Sequence, residues 1–153
     1  MLAVTEVNGC EVCSYYHTRI ALEKGLSEEE IQMLISGSAE SIPPDEATAI
    51  LFAQHYADTK GQPTKKAWGN LIETYGQMKA DQILSSIQIM MMGNVMGIPL
   101  SAFMNRLKKE PSGNSNLAYE LLMIVLPVFF FPVALIHILI SEILKTPRLR
   151  FTA

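Results

Sequence analysis

Leu2-Ala-Val-Thr-Glu-Val-Asn-Gly-Cys-Glu-Val-Cys-Ser-Tyr-Tyr-His17 is the stretch on which the reading of this chain turns. Asn8-Gly9 is a turn signal that ends one apolar segment and opens the next. The next segment carries the only two cysteines of the chain, Cys10 and Cys13, and then His17. Cysteines three apart can close a disulfide within one helical turn. A histidine four residues after the second lies over the next turn of the same face. The spacing therefore predicts a dithiol with a base beside it.

The chemistry follows from which protonation state reacts. The thiolate attacks disulfides and peroxides, and a free cysteine is mostly protonated at neutral pH. An imidazole within reach can take that proton. The Asn-Gly turn places Cys10 at or near a helix N-terminus, where backbone N–H groups and the helix dipole also favour an anion. The second thiol then resolves the mixed disulfide made by the first. Spacing alone does not say which cysteine attacks. Glu6, Glu11 and Tyr16 are candidate relay or pocket residues around the pair, and Tyr15 is a further flanking aromatic.

Three other readings compete. Cys-x2-Cys-x3-His supplies three soft zinc ligands, but a closed site needs a fourth. Only His55, His137 or a carboxylate is left to provide it. Attachment of c-type haem needs histidine directly after the second cysteine, and Ser14 stands there. The third reading is a pair of inert core cysteines, since free cysteine is among the most buried residue types.

Length and composition fit one domain with its own core. The chain has 153 residues, 49 % of them hydrophobic, and a formal net charge of −3. That charge argues against a nucleic-acid surface. A single Cys-x-x-Cys cannot staple a secreted scaffold and suits a reducing compartment, so a cytoplasmic location is expected. Residues 1–9 lack the basic start and long apolar run of a secretory signal.

The remaining pattern is helical throughout. Residues 2–7 read as the last turns of a helix, and 11–24 as the redox helix closed by Gly25. Ser27-Glu-Glu-Glu30 is a capping box that opens a helix to about residue 36. Ile42-Pro-Pro-Asp45 starts a helix over about 44–59, and 65–75 forms another with Trp68, Leu71 and Ile72 inward. Residues 80–95 are expected to end at Gly97-Ile-Pro99, with a separate short helix over 100–108. Met90-Met-Met92 reads as core or subunit contact, His55 as a core-edge or solvated histidine, and Trp68 as a packing anchor.

The C-terminal part differs in kind. Domain boundaries are expected at 1–109 for the redox domain, 110–116 for a polar linker, 117–145 for a hydrophobic helix and 146–153 for a basic tail. Leu121 to Ile140 holds no formal charge apart from what His137 can carry, and about twenty such residues span a bilayer core. Pro127 and Pro132 would kink a spanning helix. The two readings are a membrane anchor through 121–140 and a hydrophobic seam between subunits.

The opening stretch, followed by Ala21-Leu22 and Gly25-Leu26-Ser27, closely resembles the core of the carboxymuconolactone decarboxylase-like superfamily. More narrowly it is similar to the AhpD-like alkylhydroperoxidase branch. The resemblance is strong over about residues 2–36, weaker to about 107, and absent in the tail. It implies an all-α, AhpD-like helical domain, here with a hydrophobic C-terminal helix, that assembles as a homo-oligomer. It also implies thiol-disulfide or peroxidase activity, with Cys10 and Cys13 as the redox pair and His17 in a proton relay. No cofactor is expected to be bound. The reductant would be an external dithiol, such as a lipoyl group or a thioredoxin-like protein, and a peroxiredoxin is a further partner the resemblance suggests. Two departures stand out. Val12 occupies the position of a second histidine in well-studied members, and their upstream glutamate would fall before Met1. Decarboxylases of the superfamily lack the cysteine pair, so its presence here favours redox work.

Overall fold

The structure is a computed structural model that describes residues 1–36, 42, 44–109, 115–144, 146 and 149–152. Among these residues the regular structure is seven α-helices and no strand, the all-helical class the sequence predicts. They are α1 (Leu2–Asn8), α2 (Glu11–Glu23), α3 (Glu28–Ser36), α4 (Pro44–Asp58), α5 (Lys65–Tyr75), α6 (Gln77–Leu107) and α7 (Leu117–Ile143).

The local signals that set these boundaries are visible as hydrogen bonds. Gly9 takes a left-handed conformation at φ 67°, and its N–H donates to the Thr5 carbonyl at 2.9 Å, which stops α1. The capping box forms at the start of α3. Glu30 N–H donates to Ser27 Oγ at 3.2 Å, and Ser27 N–H donates back to Glu30 Oε2 at 2.8 Å. Thr64 caps α5 by accepting from Ala67 N–H at 3.2 Å.

Val4 of α1, Phe52, Ala53, Tyr56 and Ala57 of α4, Leu71 of α5, and Ala80, Leu84 and Ile87 of α6 form the core. Each fully buried aliphatic side chain of this kind contributes roughly 1.5–3 kcal/mol. Trp68 packs on Phe52 with ring centroids 5.7 Å apart, the anchoring role its sequence position suggests. Met90 and Met91 pack at the edge of this core.

One boundary differs from expectation. Gly97-Ile-Pro99 does not end a helix, because α6 continues through it for 31 residues. Pro99 lies inside α6 and is buried. Proline costs an interior helix a hydrogen bond and a clash with the preceding turn. Here that local cost is outweighed by packing on both sides, since α6 touches α1, α2, α4, α5 and α7.

α7 sits against the rest of the molecule mainly through α6. Its first turn is held by a buried ion pair. Arg106 Nε and Nη2 donate to the two oxygens of Glu120 at 2.8 Å each, and Ser115 Oγ donates to the same carboxylate at 2.6 Å. Asn116 caps α7 by accepting from Tyr119 N–H at 2.8 Å. After α7 the chain returns to the body. Leu149 packs against the core, and Thr152 N–H donates to the Pro63 carbonyl at 3.2 Å. Residues 110–114 of the expected linker, and Arg148 of the expected basic tail, lie outside the described residues.

Candidate redox site

The site is built where α1 turns into α2. Cys10 follows the Gly9 turn and is the N-cap of α2, with extended backbone at φ −93° and ψ 94°. Its N–H donates to the Thr5 carbonyl at 3.4 Å, and its Sγ accepts from Cys13 N–H at 3.4 Å. Cys10 and Cys13 are joined as a disulfide, with Sγ–Sγ 2.04 Å and Cα–Cα 5.2 Å. The N-cap position brings unpaired backbone N–H groups toward Cys10 Sγ, an environment that stabilises a thiolate once the bond is reduced.

A cavity of about 530 Å³ opens beside the pair. It is lined by Thr5, Glu6, Gly9, Cys10, Glu11, Ser14, Tyr15 and Thr18. Glu6 accepts a short hydrogen bond from Ser14 Oγ, which ties α1 to α2 across the cavity. Glu11 accepts from Asn105 Nδ2 at 3.4 Å, which links the start of α2 to α6. The cavity lining thus includes one cysteine of the disulfide, two carboxylates and four hydroxyl side chains.

On the opposite side the disulfide is backed by α6. Gly97 lies directly against it: a Cβ at that position would sit 2.3 Å from Cys13 Sγ and 2.7 Å from Cys10 Sγ. One turn earlier Asn94 is buried and accepts from Thr5 Oγ1 at 3.3 Å, while its Nδ2 finds no partner among the described residues.

Residues 1–54 match the model of the carboxymuconolactone decarboxylase family. The matched part runs from α1 into α4 and contains the whole Cys10-to-His17 motif, so the superfamily resemblance holds over that segment. No curated protein and no solved structure matches the chain.

The cavity takes in some of the residues singled out by sequence and leaves out others. Cys10, Glu6 and Glu11 meet at the cavity. Tyr15 lines it, and Tyr16 does not; Tyr16 is exposed and stacks edge-on against Tyr15 with centroids 5.8 Å apart. His17 also lies outside the cavity lining, one turn along α2 from Cys13. Its Nδ1 is buried without a hydrogen-bond partner among the described residues. Burial, and secondarily the positive Met1 amine, push the His17 pKa below its ordinary value, so the imidazole is held neutral.

His55 has a structural role apart from this site: its Nε2 accepts from Thr64 N–H at 3.1 Å. Among the described residues no group of three His, Cys, Asp or Glu is arranged to hold a metal ion.

Sequence reasoning missed Ser14, Thr18, Asn94 and Gly97. Ser14 and Thr18 follow Cys10 at helical spacing and were legible as one face of α2. Asn94 and Gly97 carry no such signal, because nothing local says which distant helix will cover the pair.

Proposed function

We propose that this protein is a thiol-disulfide oxidoreductase of the alkylhydroperoxidase type, with Cys10 as the attacking sulfur and Cys13 as the resolving one. The observation that carries this reading is the Cys10–Cys13 disulfide at the N-cap of α2, with Cys10 lining a solvent-open cavity. In the reduced protein the N-terminal N–H groups of α2 favour thiolate at Cys10. The thiolate attacks the terminal oxygen of a small hydroperoxide, becomes a sulfenic acid and releases the alcohol. The Cys13 thiol condenses with the sulfenic acid, which forms the disulfide and releases water. An external dithiol, such as a lipoyl group or a thioredoxin-like protein, then returns two electrons and two protons. His17, held neutral, serves as proton acceptor on the Cys13 side of the helix. The two carboxylates, with no cation among the described residues of the cavity lining, support a neutral substrate over a polycarboxylate lactone, and so favour redox chemistry over decarboxylation.

The test is turnover of a neutral organic hydroperoxide with dihydrolipoamide. Cys10→Ser and Cys13→Ser are each expected to abolish it, and His17→Ala to slow it about 10²-fold or more. Two thiols that alkylate slowly at pH 7, and equally slowly in the His17→Ala variant, would sink the reading.

For the arm formed by α7, we infer a subunit seam. The helix begins on Arg106, and the chain beyond it returns to Pro63, so both flanks are attached to the same body. Between them Val128, Phe129, Phe130 and Val133 are exposed. A separate observation favours a membrane anchor: Leu117–Ser141 is 25 residues long and contains an 18-residue window of mean hydropathy 2.6 with no buried residue, long and apolar enough to cross a bilayer. α6 also has the length and hydropathy for this, but its buried stripe identifies it as the core helix. Crossing would require α7 to release at least one flank. The full chain floated with liposomes in the absence of detergent separates the two: recovery as a soluble oligomer supports the seam, and recovery with the lipid supports the anchor.

A further inference from the structure

We propose that Gly97, on a helix remote in sequence from the motif, is a positioning residue that sets the balance between the disulfide and dithiol forms of Cys10–Cys13. The inference rests on the redox reading of that pair and adds a residue to it.

The two sulfurs lie on the bare backbone of α6. A methyl group at Gly97 would be 2.3 Å from Cys13 Sγ and 2.7 Å from Cys10 Sγ, far inside any carbon–sulfur contact distance. Neither helix is free to withdraw. α6 is fixed on this face by buried Asn94 and Ser101, and Asn94 is tied to Thr5. α2 is fixed through Cys10 N–H on the Thr5 carbonyl and Ser14 on Glu6.

The constraint acts unequally on the two redox forms. In the disulfide both sulfurs are covalently held against Gly97. In the dithiol the covalent tie is gone, and each Sγ can take another staggered χ1 position. A side chain at position 97 therefore opposes the oxidised form more than the reduced one. Exchange with an external dithiol proceeds by thiolate attack on one sulfur, which breaks the Cys10–Cys13 bond and forms a mixed disulfide. The second thiol of the reagent then displaces it, leaving two cysteine thiols and an oxidised reagent. Two electrons and two protons pass in total, and Gly97 shifts the equilibrium of that exchange without taking part in it.

The experiment is a redox titration of the full chain in reduced and oxidised dithiothreitol, with the fraction of free thiol read by alkylation and mass shift. Gly97→Ala is expected to lower the equilibrium constant for disulfide formation at least tenfold, which for a two-electron couple raises the midpoint by about 30 mV. Gly93→Ala is the control, since a Cβ there meets nothing within 4 Å and the residue is on the same helix; it is expected to titrate within twofold of the parent. Equal titration of Gly97→Ala and the parent would overturn the proposal and leave the redox reading standing. A parent pair that does not exchange with dithiothreitol in the native state would instead overturn the redox reading and this proposal with it. If Gly97→Ala alone does not fold, removal of the sulfurs in Cys10→Ala, Cys13→Ala, Gly97→Ala is expected to restore a melting temperature equal to that of the double cysteine variant. Failure of that rescue also overturns the proposal.

Discussion

The two faces of α6 are packed to different standards. Toward α1, α2 and the core, Ala80, Leu84, Ile87, Asn94, Gly97 and Ser101 recur at helical spacing and are all buried. At Gly97 the approach is so close that the backbone itself is the contact surface. Toward α7, Met92, Val95 and Met96 line an open apolar groove of about 300 Å³ together with Leu126, Phe130 and other residues of α7. The first face needs particular residues. The second needs only apolar ones, because the flexible methionines that line it adapt to many neighbours. One helix thus separates a specified site from a permissive surface.

The contrast is open to direct attack. The largest effect is expected on the tight face, where Leu84→Ala should lower unfolding free energy by about 2–5 kcal/mol in urea titrations followed by Trp68 fluorescence. Thr5→Val comes next. It removes a hydrogen bond to the buried Asn94 side chain, the only one that side chain makes among the described residues, and a loss of about 1–3 kcal/mol in the same titration is expected. Glu120→Gln acts on the arm. It weakens the charge pair with Arg106 and is expected to lower the melting temperature and speed amide exchange along α7 while sparing α4 and α5. Phe129→Ala, on the exposed side of α7, should change monomer stability by no more than about 0.5 kcal/mol but weaken self-association, measured by sedimentation. A Phe129→Ala loss as large as that of Leu84→Ala would end the distinction between the two faces.

The smallest effect concerns pH. The folded-state pKa of His17 lies below its ordinary value, so the unfolded chain binds the extra proton more readily. Stability is therefore expected to be full above about pH 6.5 and to decline as pH falls below it. Replacement His17→Gln should flatten that part of a melting-temperature profile, and an unchanged slope would show that another group is responsible.

Much of the fold was legible because its signals are local. The Asn8-Gly9 turn, the Ser27–Glu30 capping box and the Pro44 start each appear at or within a residue or two of their expected positions. The break expected at Gly97-Ile-Pro99 was misplaced for a physical reason. Glycine and proline disfavour a helix locally, but here the helix is held by its neighbours, and Gly97 is required for contact with the sulfurs. The site was legible on the α2 side, where spacing fixes which residues share a turn. It was not legible on the α6 side, where more than eighty residues separate Gly97 from Cys13.

The sequence by itself determined the helical class, the dithiol with its histidine one turn on, and the apolar character of the C-terminal helix, because each depends on residues within a few positions of one another. Only the tertiary structure decided that Cys10, Glu6 and Glu11 line one cavity while His17 does not. It also decided that α6 closes over the disulfide at a glycine and that the flanks of α7 return to one body. Those facts depend on how whole helices cross, and helix crossing is set by the shape of distant side chains that no local pattern encodes.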